Sequence, residues 1–234
     1  MKQADNQRLF LLDRNKTFQD PMPFFMQPIM SVENGLVFGF EILFRGGTPP
    51  EWSEVDKSVV LHLCETPANT LPTMFVNISA KAFLEISHQQ FIDASQKNKI
   101  YFEMSESLAD DPGFDKIVEK IDALSANGVL FALDNFGRNQ EGMPRLHSLD
   151  SIYVIKVDGA YLSRAMGDVQ IEAALRSLVG QWRKNRIASV AEWVETPATY
   201  EFARKLGFDF VQGFHIDAML NGLDSTDLGN AESA

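Results

Sequence analysis

Thiols are nearly absent from this chain, with Cys64 the one cysteine in 234 residues. That excludes an internal disulfide framework and a thiolate zinc cluster. Basic residues are in the minority, 21 Lys and Arg against 32 Asp and Glu, for a formal net charge of −11. Such a chain lacks the electrostatic footprint for general binding to nucleic acid polymers or anionic membranes, while leaving room for a local basic pocket around a phosphate. No apolar stretch approaches the roughly 20 residues of a membrane span. Residues 1–14 carry Lys2, Asp5, Arg8, Asp13 and Arg14 around a short apolar patch, without the apolar centre of a signal peptide. These absences lead to the expectation of a cytoplasmic protein. No internal repeat, low-complexity tract or linker interrupts the sequence.

What is present suits a globular fold. With 45% hydrophobic and 23% charged residues, the chain can bury a sizeable core. Its length fits one large α/β barrel or two small domains. Apolar, aromatic runs at 24–30 and 36–44 flank Asn34-Gly35, a strong hairpin signal, so the first two strands are expected to be antiparallel. Beyond them, strands expected at 74–78, 99–104, 128–134, 152–157, 187–191 and 208–211 alternate with helical patterns. Phe114, Ile117, Val118, Ile121 and Leu124 hide one helical face, and Ile171, Leu175, Leu178, Val179 and Trp182 another. Thr196 reads as an N-cap before Pro197, with Gly207 just past the end of that helix. Alternation over most of the length predicts one closed α/β barrel of the TIM-like (β/α)8 kind with an antiparallel early strand. Residues 1–19 are expected to be a lead-in, 20–217 the barrel domain and 218–234 a polar tail.

The stretch Gly128-Val129-Leu130-Phe131-Ala132-Leu133-Asp134-Asn135-Phe136-Gly137 shows where chemistry is expected. A short continuous apolar run suits a strand buried on both faces, and here it passes abruptly into an acid and an amide. Other runs do the same, at Glu41, Asn77, Glu103, Lys156, Glu192 and Gln212. A barrel gathers such positions in one mouth. Several carboxylates cannot share a small volume without counter-charge. Either cations fill it, or the acids are spread out and hydrated. An all-oxygen set without histidine suits Mg²⁺ or Mn²⁺. Two ions sharing Asp134 would make a hydrolytic centre for a phosphodiester, with Lys156 orienting a water or neutralising an oxyanion. Singly, each residue has a plainer role: a strand-end acid is more often a cap or surface charge, and Asn77 could cap the following helix. A lysine like Lys156 is more often an ion-pair partner, and in barrels it can also be a Schiff-base amine.

These residues fall in blocks that resemble the EAL domain family of cyclic di-GMP phosphodiesterases and their degenerate relatives. The blocks are Gln27-Pro28-Ile29, Gly39-Phe40-Glu41-Ile42-Leu43-Phe44-Arg45, Val76-Asn77-Ile78-Ser79 and Phe102-Glu103-Met104-Ser105-Glu106-Ser107. Leu133-Asp134-Asn135-Phe136-Gly137, Ile155-Lys156-Val157-Asp158, Ala191-Glu192-Trp193-Val194-Glu195-Thr196 and Gln212-Gly213-Phe214 follow in order. The resemblance implies a barrel with an early antiparallel strand and metal ligands at Glu41, Asn77, Glu103, Asp134, Asn135 and Glu192. It implies a role for Lys156 at the attacking water, with Gln212 near the metal-bound water and Glu195 supporting the loop after Asp134. Gln27, Arg45 and Asp158 become ligand contacts. Active members linearise cyclic di-GMP with two Mg²⁺ or Mn²⁺ ions and often form homodimers.

The chain departs from the family pattern in ways that bear on activity. Ile42 replaces the signature alanine, and Asn135 replaces the second of two paired aspartates, a ligand of the second metal. A neutral amide there weakens the second site. The loop from Arg138 to Pro144 lacks the family's glycine- and serine-containing run, which couples dimerisation to metal binding. The segment between Arg45 and Val76 is short, and Trp193 stands where the family has glycine. The retained set supports binding of cyclic di-GMP, with weak metal-dependent hydrolysis to linear pGpG or none. The alternative is a protein-interaction module that no longer uses the nucleotide and acts on a protein partner.

Overall fold

The computed structural model describes residues 24–44, 51–105, 111–138 and 151–222. Eight strands close into a barrel in sequence order: β1 (Phe24–Ser31), β2 (Val37–Phe44), β3 (Met74–Asn77), β4 (Ile100–Ser105), β5 (Leu130–Phe136), β6 (Ile152–Val157), β7 (Ala188–Ala191) and β8 (Phe210–Val211). Strand β1 runs antiparallel to both neighbours, β2 and β8, and every other pair is parallel. The Asn34-Gly35 hairpin produces that reversal. Gly35 takes a left-handed φ of 70°, and Asn34 Oδ1 accepts a hydrogen bond from Leu36 N at 2.9 Å.

Helices α1 (Trp52–Glu65), α2 (Ala80–Glu85), α3 (His88–Lys97), α4 (Phe114–Ser125), α5 (Gly159–Gly167), α6 (Val169–Lys184), α7 (Pro197–Leu206) and α8 (Phe214–Asn221) follow the strands. The amphipathic α4 buries Ile117, Ile121 and Leu124, as its spacing predicts. Thr196 Oγ1 caps α7 by accepting from Thr199 N at 3.1 Å, and Gly207 ends it in the left-handed conformation. Three helices, α3, α5 and α8, were not apparent from periodicity. Their local start signals are nonetheless present. Ser87 and Gln90 form a capping box on α3, and Asp158 Oδ1 accepts from Ala160 N at 2.8 Å to start α5. The domain boundary drawn at 217 falls within α8, whose Ala218 is buried.

The barrel interior explains where the polar side chains go. Ile29, Phe75, Tyr101, Ala132, Val154 and Val190 form a separate apolar cluster, with Phe210 packed on it. The Phe75 and Tyr101 rings stack at 4.8 Å, and Phe38 stacks on Phe210 at 4.2 Å. Side chains alternate along a strand, so a step of two stays on one face. Two residues beyond this apolar layer stand Asn77, Glu103, Asp134, Lys156, Glu192 and Gln212. On the reversed β1 the same step runs backwards, from Ile29 to Gln27, and Gln27 pairs in register with Glu41. A polar layer therefore lies on an apolar floor at the carboxyl end of the parallel strands.

Truncating that floor is costly. Phe75→Ala is expected to destabilise the barrel by about 3–5 kcal/mol, read as a lowered urea midpoint with an unchanged denaturant slope.

Candidate active site

The polar layer converges on one ammonium group. Lys156 is fully buried, and its Nζ lies 2.8 Å from Glu41 Oε2, 2.8 Å from Glu103 Oε1, 3.0 Å from Glu192 Oε1 and 3.4 Å from Asp134 Oδ1. Strands β2, β4, β5 and β6 each carry one of these groups, and Glu192 directly follows β7. Two carboxamides complete the grip on Glu41: Asn77 Nδ2 donates to Oε1 at 2.8 Å and Gln212 Nε2 to Oε2 at 2.6 Å. Gln212 Nε2 also reaches Gln27 Oε1 at 3.1 Å, and Gln27 Nε2 donates to Asp217 Oδ2 at 3.0 Å. Sequence patterning missed Asp217, which lies in the first turn of α8, five residues after Gln212 and past the last expected strand.

Four acids around one ammonium leave an excess of negative charge if all ionise. Burial would raise Glu41, but Lys156, Gln212 and Asn77 hold its pKa below the usual carboxylate value. Burial pushes Glu103 well above that range, and the Glu41 charge adds to it against the pull of Lys156. Glu192 is pushed up to about 8 by burial, opposed by Lys156 and reinforced by Asp134 and Glu41. Asp134 is raised as well, chiefly by burial. Burial would depress Lys156, yet Asp134, Glu103, Glu192 and Glu41 together hold its pKa well above normal. The lysine is held as a cation, and burial shifts Glu103, Glu192 and Asp134 toward their protonated forms.

The oxygen set also fits a hard divalent cation. Glu103 Oε2 is buried and accepts no hydrogen bond among the described residues, and Asp134 Oδ1 has only the long 3.4 Å contact with Lys156. Among those residues no three acid or imidazole groups form a ready-made cage, since the Lys156 ammonium stands between the carboxylates. Ligation of an ion by Glu41, Asn77, Glu103, Asp134 and Glu192 therefore requires oxygens now turned to the lysine or left orphaned. The position of Asn135 suits a second ion poorly. Its Nδ2 donates to Asp134 Oδ2, and its Oδ1 accepts from Arg138 Nη1 at 3.4 Å. Asn135 has a left-handed φ of 60°, a conformation asparagine tolerates well.

Above the acids opens a cavity of about 410 Å³, lined by Gln27, Glu41, Asn77, Asp134, Trp193 and Phe214 among others. Glu103 and Lys156 lie beneath its floor, almost fully buried. Glu195 is exposed on the cavity wall. Asp158 is buried and is directed to the backbone of α5 as its cap. Arg45 and residues 139–144 of the altered loop lie outside the described residues.

Comparison with known proteins agrees with this architecture. A family model described as EAL domain matches residues 52–218. The oxygen sensor protein DosP of Escherichia coli (strain K12) is 27% identical over 220 residues, covering 80% of this chain and 27% of that protein. The cyclic di-GMP phosphodiesterase CdgJ of Vibrio cholerae serotype O1 is 26% identical over 197 residues, covering 80% of this chain and 42% of that protein. The chain spans less than half the length of either relative. A standalone EAL protein of Vibrio cholerae O395 in its c-di-GMP-bound form has the same fold, with a TM-score of 0.64 at 19% identity over 83% of this chain and 91% of that one.

The raised pKa of Glu192 has a signed consequence for stability. The folded state holds its proton up to about pH 8, whereas the unfolded carboxyl loses it near 4.5. The stabilisation is complete below about 4.5 and is lost as pH rises through about 8. In metal-free chemical denaturation, Glu192→Gln is therefore expected to gain stability relative to wild type across that window, and a pH-independent difference would contradict the assignment. Lys156→Met should cost about 3–5 kcal/mol at pH 8, because it strands buried acids, and distinctly less at pH 5, where they protonate.

Proposed function

Because the chain belongs to the EAL domain family, we propose that its cavity binds cyclic di-GMP and hydrolyses it slowly to the linear dinucleotide. The observation that carries this is the convergence of Glu41, Asn77, Glu103, Asp134, Lys156, Glu192 and Gln212 at one end of the barrel. A scaffold kept only for its surface has no need of four buried acids, which are costly to desolvate. The acid-lined cavity needs added positive charge before it can accept a bis-phosphodiester. Glu41, Asn77, Glu103, Asp134 and Glu192 would hold Mg²⁺ or Mn²⁺, which would supply that charge and Lewis-acid chemistry when bound. Lys156 keeps its proton at Nζ and stabilises negative charge close to the acids. Gln212 and Asn77 hold Glu41 ionised and oriented, the state in which it can ligate.

Slow turnover follows from Asn135. Its amide brings no charge to a second ion, and both its polar ends are engaged by Asp134 and Arg138. One observation favours a second reading, in which the barrel is a protein-interaction module without nucleotide. Lys156 already contacts all four acids, so the cluster is internally paired without any metal.

Calorimetry with cyclic di-GMP in Ca²⁺ distinguishes the two, and chromatography of Mn²⁺ and Mg²⁺ incubations reports turnover. Binding with slow formation of linear product is expected, and Glu41→Ala should abolish product. Asn135→Asp suits the left-handed backbone and should raise turnover about tenfold or more. Absence of binding in every metal would leave the interaction module as the function.

A further inference from the structure

We propose that Trp193 is a stacking platform for a purine base of the bound dinucleotide, a role that rests on the binding function proposed above. Trp193 lies on the connection between β7 and α7, directly after Glu192. Its backbone φ is 55°, in the left-handed region that bulky residues avoid and glycine enters freely. Such a conformation persists only where the surroundings enforce it. Here they do so from both sides. Glu192 N donates to Val157 O at 3.1 Å and Val194 N to Gln212 O at 3.0 Å, while His215 N donates to Val194 O at 3.0 Å. The foot of the side chain is seated on Gly159, where an added β-carbon would stand 2.4 Å from Trp193 Cβ. A glycine at the start of α5 thus makes room for a tryptophan on the loop after β7.

The result of this constraint is an uncovered ring. Trp193 is 67% exposed, whereas tryptophan is ordinarily well buried. The ring stands on the wall of the 410 Å³ cavity, beside Gln27, Asn77 and Asp134. Those polar groups, with the acids below, can address phosphates, cations and hydroxyls. They offer nothing to the flat apolar face of a base. Of the apolar lining, which also includes Leu43 and Phe214, Trp193 offers the largest flat surface, and base–aromatic stacking is strong and independent of charge. In a cavity this acidic, an uncharged contribution to affinity is the kind that does not compete with the repulsion of phosphates. An exposed tryptophan is also a common protein-contact residue. Its place on a concave, acid-lined wall instead of an open face favours the nucleotide.

The test compares wild type, Trp193→Phe and Trp193→Gly by calorimetry with cyclic di-GMP in Ca²⁺, alongside thermal denaturation. Trp193→Phe keeps a ring and should bind within about threefold of wild type. Trp193→Gly should bind about 5- to 150-fold more weakly, with a thermal midpoint equal to or above wild type because glycine suits the left-handed backbone. Nucleotide should quench indole fluorescence in wild type and not in Trp193→Phe, since Trp182 is buried in the core and the exposed Trp52 does not line this cavity. Wild-type affinity in Trp193→Gly would overturn the proposal and return the ring to a protein-contact role. Joint loss of binding and thermal stability in both variants would also overturn it, by making the ring structural. Failure of wild type itself to bind would refute the binding function beneath it.

Discussion

The Lys156 ammonium lies within 3.4 Å of carboxylate oxygens from four separate segments of the barrel wall, and the mouth of the barrel is arranged around that contact. Desolvating four acids costs more than one ammonium returns, so the cluster is stable only if its remaining charge is neutralised. Burial, reinforced by the neighbouring acids, raises Glu103 and Glu192 above ordinary carboxylates and so favours protons as one means of doing this. On the function proposed above, a divalent cation would be the other means, and it would compete with protons for the same oxygens. Acidity and fold stability are therefore coupled through one lysine, and a bound cation would join that coupling. The coupling is a property of the barrel geometry, because no two of the four acids are neighbours in sequence.

Much of this is legible in the amino-acid sequence. Each apolar run passes into a polar residue at its carboxyl end, and period-two alternation carries that pattern into a ring once the barrel closes. The Asn34-Gly35 turn announced the reversed β1, and with it the reason Gln27 faces Glu41. What escaped was set by tertiary packing. Helix α3 has a capping box, but its polar residues at Gln89, Gln90 and Gln96 blur the apolar stripe. Helix α8 begins after a glycine with φ of 150° whose β-carbon would collide with Val194, a contact from a segment some twenty residues earlier. Asp217 was missed for the same reason. That Lys156 is the centre of the cluster and not one member of a ring is likewise a matter of distance, which spacing does not encode.

Two departures from the family pattern occupy equivalent kinds of position. Among the described residues, four non-glycine residues have left-handed φ angles, and two of them, Asn135 and Trp193, line the cavity. Strain concentrated at a site is a sign that the local structure over-determines it. Asparagine meets the backbone demand at little cost and gives up a charge. Tryptophan meets it poorly and brings a ring.

On the function proposed here, these two changes act in one direction. Loss of charge at Asn135 removes stabilisation that matters most as negative charge develops on the reacting phosphate. A ring at Trp193 stabilises a bound base equally in the ground state and the transition state. Uniform binding of that kind tightens a complex without accelerating its reaction. A site that has weakened the differential interaction and added the uniform one favours holding its nucleotide over cleaving it. The retained lysine and acids keep the cavity able to take cation and phosphate, so the same constellation that serves hydrolysis serves recognition.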